Sequence, residues 1–174
     1  MNIIFTRPLI DAEDLMTNFF SSNYKVIHLP TLSITSANME PINAKEFDGL
    51  IFTSANAVRF LQLKNDEKNI KCFCVGNITE RSLRLKGFTN TVAASGTVNA
   101  LKNIILNSEK KIKNLAYLCG DVVSYDLDKD LKLSGFKIKK IINYTSSKIT
   151  NLNSESLDSV SYTHLTLPTI GEVE

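Results

Sequence analysis

Short apolar runs alternate along the chain with stretches whose apolar residues recur every three or four positions, the pattern of strands feeding helices in a parallel α/β sheet. The runs predict strands over Asn2–Thr6, Lys25–Leu29, Gly49–Thr53, Lys71–Val75, Thr89–Ala93, Asn114–Leu118 and Lys137–Tyr144. The periodic stretches predict helices near Ala12–Ser21, Ala55–Leu63, Ile78–Lys86, Val98–Leu106 and Leu127–Leu133. Asp11, Ser54, Asn77, Thr97 and Asp126 each stand just ahead of one helix, where a side-chain oxygen can accept from the first free amides. Gly87 and Gly135 suit the left-handed residue that ends a helix.

The order of these elements predicts an α/β fold of two parallel-sheet lobes. Residues 1–31 form one β-α-β unit, the first half of lobe 1, and 32–46, rich in Ser, Thr, Asn and Pro, form an extended connector. Residues 47–136 supply lobe 2, which is complete once the return connector 137–148 adds its strand. Two strands and one helix cannot close a core alone, so lobe 1 needs a second half, beginning at 149–159. Beyond that point the pattern fails. "VSYTHLTLPT", residues 160–169, has neither period and resembles the translation of a transposase adapter used in sequencing libraries. Residues 160–174 are therefore expected to be a non-native tail on a truncated chain, and Tyr162, His164 and Pro168 are set aside.

Composition narrows the class. The 174 residues are 43% hydrophobic, enough for a core, and no run approaches the roughly 20 apolar residues of a membrane span. The N-terminus reads as a strand rather than a signal peptide, so a cytoplasmic location is expected. Twenty basic against eighteen acidic residues give +2, too balanced for nucleic-acid binding, and the lysines at 110–113 read as a solvated helix end. Without residues 160–174 the balance is 20 basic to 16 acidic, or +4, which suits an acidic ligand slightly better. Cys72, Cys74 and Cys119 form no C-x-x-C pair and are odd in number, and so are expected as buried thiols rather than disulfides or metal ligands.

No familiar catalytic cluster emerges. The glycines never approach the close spacing of a dinucleotide fingerprint or a P-loop, and His28, inside "KVIHLP", reads as a core or rim residue. What recurs is a strand end followed by small polar residues and a helix start: Thr53-Ser54-Ala55-Asn56, Gly76-Asn77-Ile78-Thr79, Ser95-Gly96-Thr97 and Gly120-Asp121. In a doubly wound sheet these ends line one edge, where backbone amides and helix dipoles can hold an anion.

Taken in order, "IIFTRP", "HLPTLSI", "FDGLIFTSANAVRF", "CVGNITERSLRLKGF", "ASGTVNAL", "YLCGDVVSYDLDKDLKLSGF" and "IINYTSS" resemble the uroporphyrinogen-III synthase family over residues 1 to about 148. The resemblance implies two flavodoxin-like lobes and no cofactor or metal. It implies cyclisation of the linear tetrapyrrole hydroxymethylbilane, with inversion of the last ring and loss of water. Tyr144 matches the connector tyrosine that would serve as the acid, and Thr53, Ser54, Asn56, Gly76, Thr79, Thr97 and Gly120 are the substrate-binding positions. Arg7 is included with them, although it fits the ordering of the first loop better. Cys119 stands where an arginine is common, the segment after Gly120 lacks the usual basic residue, and a second "FTS"-type strand with its Gly-x-x-Thr turn, expected after "LDSV", is absent. The expected protein is a monomer with a small-molecule substrate and no nucleic-acid or membrane partner, and the truncated chain is expected to be inactive. Two rivals stay open: a flavin or sugar-nucleotide enzyme, revealed by a co-purifying chromophore or phosphate, and a non-catalytic anion- or partner-binding module.

Overall fold

A computed structural model describes residues 2–64 and 67–150, so the adapter-like tail lies outside the described residues. The described residues divide into two compact units, 2–33 with 147–150, and Ile34–Ser146.

In the first unit, strands β1 (Asn2–Phe5) and β2 (Lys25–His28) pair in parallel, with helix α1 (Leu9–Ser21) between them in sequence. Phe19 joins the helix to the strands, its ring lying 5.9 Å from Phe5 and 5.6 Å from Tyr24. Only one face of α1 is served: Ala12 is buried, while Leu9, Ile10, Leu15 and Phe20 are exposed. The helix begins earlier than its pattern predicts because Pro8, with φ already fixed near −51°, opens it. Asp11 therefore lies inside the first turn, where its charge favours the helix dipole, instead of capping it.

The second unit carries a six-stranded sheet in the order β3-β8-β7-β4-β5-β6, from β3 (Leu32–Ser36), β4 (Gly49–Phe52), β5 (Lys71–Cys74), β6 (Thr91–Ala93), β7 (Asn114–Gly120) and β8 (Lys137–Lys148). From β4 to β8 every neighbouring pair is parallel. At the β8 edge the Ala37 amide donates to the Asn143 carbonyl at 3.1 Å, and the Thr35 and Thr145 hydroxyls lie 3.0 Å apart. The reversed order of those partners makes β3 antiparallel to β8. Part of the expected connector is thus a strand, followed by a 3-10 turn, Ala44–Glu46, capped by Asn43.

Helices α2 (Ala55–Arg59) and α3 (Asn77–Leu85) cover one face of the sheet, burying Ala57, Val58 and Leu83 against Leu50, Phe52, Cys72 and Leu118. Helices α4 (Val98–Leu106) and α5 (Leu127–Leu133) cover the other, with Leu101, Ile105, Leu127 and Leu131 against Ile51, Phe73, Leu115 and Tyr117. Alternate residues of β4 and β7 therefore feed two different cores, as a sheet buried on both faces requires. The layering is that of the expected doubly wound α/β lobe, and counted from β4 its parallel strands run in the order 3-2-1-4-5.

Helix α2 stops at Arg59, four residues short of its pattern, because the chain beyond it is drawn into a bridge between Leu63 and Ile42. The Lys86 ammonium closes the helix end by donating to the Arg59 carbonyl at 2.8 Å. Asp48 performs a similar duty ahead of β4: its carboxylate accepts from the Lys113 and Asn114 amides at 2.9 and 2.7 Å, which holds its pKa below the usual carboxylate range. Among the described residues no helix is long and apolar enough to cross a membrane.

All three thiols are buried and free. Burial pushes Cys72 up to about 12 and Cys74 and Cys119 up to about 11, so the reactive thiolate is scarce at neutral pH. With an aromatic disulfide reagent at mildly alkaline pH, the native protein is expected to release essentially no chromophore, and three equivalents after denaturation. A rapidly reacting thiol in the native state contradicts this packing.

Candidate functional site

The register of the sheet gathers the strand ends. Phe52 lies beside Cys74 on one flank and Leu118 on the other, and Cys74 lies beside Ala93. Thr53, Ser54, Gly76 and Thr97, which come after their strands, and Gly120, the last residue of β7, consequently lie along one edge. The winding reverses between β4 and β7, where the helices that come next leave for opposite faces; a crevice opens at such a switch point. A cleft of about 170 Å³ occupies it, lined by Thr53, Ser54, Tyr117, Tyr125 and Tyr144 with Val98 and the 122–124 loop. Neither lysine nor arginine is among its lining residues.

Tyr144 reaches this cleft through an irregularity in β8. Cys119 pairs with Ile142 but Gly120 pairs with Tyr144, so Asn143 is an extra residue, a β-bulge. The bulge is anchored from both sides. The buried Asn143 carboxamide donates to the Ala57 carbonyl at 2.7 Å, and the Asp121 amide donates to the Tyr144 carbonyl at 3.1 Å. The Asp121 carboxylate in turn accepts from the Ser146 amide at 3.0 Å. The Tyr144 ring then lies directly over Gly120, where an added Cβ would come within 2.7 Å of two ring carbons and 3.0 Å of the phenol oxygen. Phe60 stacks on the same ring at 6.4 Å. Among the described residues the Tyr144 hydroxyl has no hydrogen-bond partner.

Other predicted residues take different places. Ser54 and Thr97 cap their helices as expected, accepting from the Asn56 and Ala100 amides at 3.1 Å each, so those two donors are spent within the protein. The Asn56 carboxamide accepts from Arg59, and the Gly96 amide is spent on the Val75 carbonyl. Asp126 occupies the cap of α5 but turns its carboxylate to Lys129. Asn77 is the first helical residue, not the cap. Gly76 holds the cap with extended backbone, and having no side chain it leaves the first turn of α3 uncovered. Thr79 is buried within that turn. The dipoles of α2 and α5 are weak, at 5 and 7 residues, and α4 is self-capped, so the anion-holding capacity of this edge concentrates on the 9-residue α3. Arg7 belongs to the other compact unit; it is exposed, and its carbonyl is tied to the His28 ring at 2.9 Å.

Sequence patterning alone does not single out Tyr117 or Tyr125. Tyr117 is 2% exposed, its hydroxyl lies 3.2 Å from Thr53 Oγ1, and burial pushes its phenol up to about 12 against the lowering effect of that hydrogen bond. Its alternation with Leu115 and Cys119 in β7 marks it as inward-facing, but in sequence it reads as core. Tyr125 donates to Asp130, which Lys102 also binds, pinning the loop after β7 across α4 and α5. A larger cleft of about 460 Å³ opens at the opposite edge, among Lys45, Asp48, Glu67, Lys71, Glu109 and Lys111. Its charges are committed locally, Lys45 to Glu67 at 3.2 Å and Lys111 to Glu109 at 2.9 Å, and it lies away from the switch point. Among the described residues no group of three or more His, Cys, Asp or Glu side chains could hold a metal ion.

The two glycines of this edge separate cleanly by substitution. Gly120→Ala forces the Tyr144 ring off its seat and is expected to cost about 1–3 kcal/mol, with loss of near-ultraviolet tyrosine dichroism. Gly76→Ala meets nothing closer than the Gly96 Cα at 3.6 Å and is expected to cost less than about 1 kcal/mol. Chemical denaturation of both variants checks the order; a larger loss at Gly76 contradicts the geometry.

The sequence model of the family described as uroporphyrinogen-III synthase HemD matches residues 14–163. A crystal structure of uroporphyrinogen-III synthetase from Helicobacter pylori 26695 superimposes with a TM-score of 0.59 at 24% identity, over 91% of this chain and 68% of that one. A mutant uroporphyrinogen III synthase from the extremely thermophilic bacterium Thermus thermophilus gives 0.54 at 15% identity, over 90% and 65%. These two likenesses show the fold. Among curated proteins, a doublecortin domain-containing protein of Plasmodium falciparum (isolate 3D7) is 28% identical in an alignment 136 positions long that covers 66% of this chain. The chain spans about half, 53%, of that relative's length. On the family match, which takes in most of its residues, the chain belongs to the uroporphyrinogen-III synthase family.

Proposed function

We propose that the parallel-sheet unit of this chain binds a carboxylate-rich linear tetrapyrrole, hydroxymethylbilane, for closure to uroporphyrinogen III with inversion of the last ring and loss of water. The observation that carries the reading is the seating of Tyr144 on Gly120 at the switch point, its hydroxyl without a partner among the described residues. Along the same edge lies the uncovered first turn of α3.

The chemistry asks little of reactive side chains. The pyrrole nitrogen adjoining the hydroxymethyl carbon pushes out the hydroxyl. A proton supplied by the Tyr144 phenol lets it leave as water; the freed methylene carbon then bonds to the last ring, whose inversion moves its link to the preceding ring from one α-carbon to the other, and the ring proton shed as aromaticity returns goes back to the phenolate. The protein's larger contribution is to hold the two ends of a flexible chain together, where effective concentration replaces a reactive cluster. Amides at Asn77 and Ile78 suit one carboxylate arm, and the cleft beside Tyr144 has room for a side-chain-sized group rather than a whole tetrapyrrole.

Magnitudes set the expected affinity. Hydrogen bonds to a charged group contribute about 1.5–3 kcal/mol each. Micromolar binding needs about 8 kcal/mol after ordering costs. One helix start and one phenol therefore give weak binding. Anaerobic titration of the 174-residue chain with uroporphyrinogen III, followed by tyrosine emission in a protein without tryptophan, is expected to give a Kd of about 0.01–1 mM, and Tyr144→Phe a weaker one. In a coupled assay the chain is expected to turn over bilane negligibly. Absence of binding at millimolar product refutes the site, and type III isomer formed at an ordinary enzymic rate refutes the energetics.

A further inference from the structure

This inference deepens the proposed function and rests on it. Thr53, just past the end of β4, and Tyr117, in the adjacent β7, have hydroxyl oxygens 3.2 Å apart, and both side chains line the cleft at the switch point. A hydroxyl pair can run in either direction, and chemistry chooses between them. A phenol is several orders of magnitude more acidic than an aliphatic alcohol, so it is the better donor, and delocalisation into the ring makes its oxygen the poorer acceptor. Tyr117 therefore donates and Thr53 Oγ1 accepts. With that lone pair occupied, the threonine's own proton must find another acceptor, and the cleft is where it can look.

We propose that Tyr117 is a positioning residue that fixes the Thr53 hydroxyl as a hydrogen-bond donor into the cleft, directed at a carboxylate oxygen of the tetrapyrrole. Burial keeps the phenol un-ionised through neutral and mildly alkaline pH, so the polarity of the pair persists across the working range. A cleft lined by neutral hydroxyls and no cation also reads its anion without an ion pair. Its recognition depends on direction more than on charge, so what Thr53 contributes should be little screened by salt.

The test is a double-mutant cycle on the 174-residue chain, read by calorimetry with anaerobic uroporphyrinogen III as the probe. Thr53→Val is expected to weaken binding about 10–100-fold, the range of one hydrogen bond to a charged group, and Tyr117→Phe about 3–10-fold, the range of one neutral hydrogen bond, both with little change between low salt and a several-fold higher concentration. The double variant is expected to bind no more weakly than Thr53→Val alone, because Tyr117 acts through Thr53. Losses that multiply, or Tyr117→Phe binding like the unaltered chain, overturn the proposal. Thr53→Val is nearly isosteric and keeps the test alive if Tyr117→Phe does not fold: binding equal to the unaltered chain overturns it equally. Failure of the unaltered chain to bind removes the proposed function and this inference together, whereas binding with independent losses removes the inference alone.

Discussion

Backbone hydrogen bonds hold β4 between β5 and β7 in a parallel register that sets Phe52 beside Cys74 on one flank and Leu118 on the other. Every feature of the candidate site descends from that pairing. Parallel strands must all finish at the same edge, and the connections from that edge must leave as helices. The reversal of winding at β4 and β7 parts those helices and opens a crevice between them. Two fully covered faces, one under α2 and α3 and the other under α4 and α5, make the edge stiff enough to present small groups at fixed positions.

Against this regular frame the bulge at Asn143 determines where Tyr144 goes. Its buried carboxamide is committed to the Ala57 carbonyl, so the bulge is locked to α2 rather than free to slip. Gly120 then matters for the absence of a side chain, not for backbone freedom, since the space a Cβ would fill is taken by the tyrosine ring. Gly76 is bare for another reason, leaving the amides of α3 open.

Much of this is legible in the sequence, because apolar periodicity and small-residue punctuation are local signals. The strands other than β3, the sheet edge and the caps at Ser54 and Thr97 follow from them directly, whereas β3 lies in a stretch that reads as connector. The misplaced cap at Asp11 reflects the dominance of a proline-fixed φ over a side-chain oxygen. The early end of α2 reflects a long-range bridge to Ile42 that no local pattern encodes. Tyr117 is hidden because an inward residue in a strand carries the same pattern whether its hydroxyl is idle or engaged, and its partner Thr53 lies 64 positions away. In sequence the strand ends look equivalent as anion sites; only the hydrogen bonds reveal that those at Ser54 and at Gly96-Thr97 have already spent donors internally.

The central physical claim is that main-chain amides at one sheet edge, rather than a cluster of charged side chains, receive the carboxylates. Amide nitrogen–proton correlation spectra of the labelled chain, recorded during anaerobic titration with uroporphyrinogen III, test it most directly. The largest shifts are expected at Asn77 and Ile78, with smaller ones at Thr53 and Tyr144. Shifts concentrated instead at Asp48, Lys71 and Lys111, on the charged opposite edge, would contradict it.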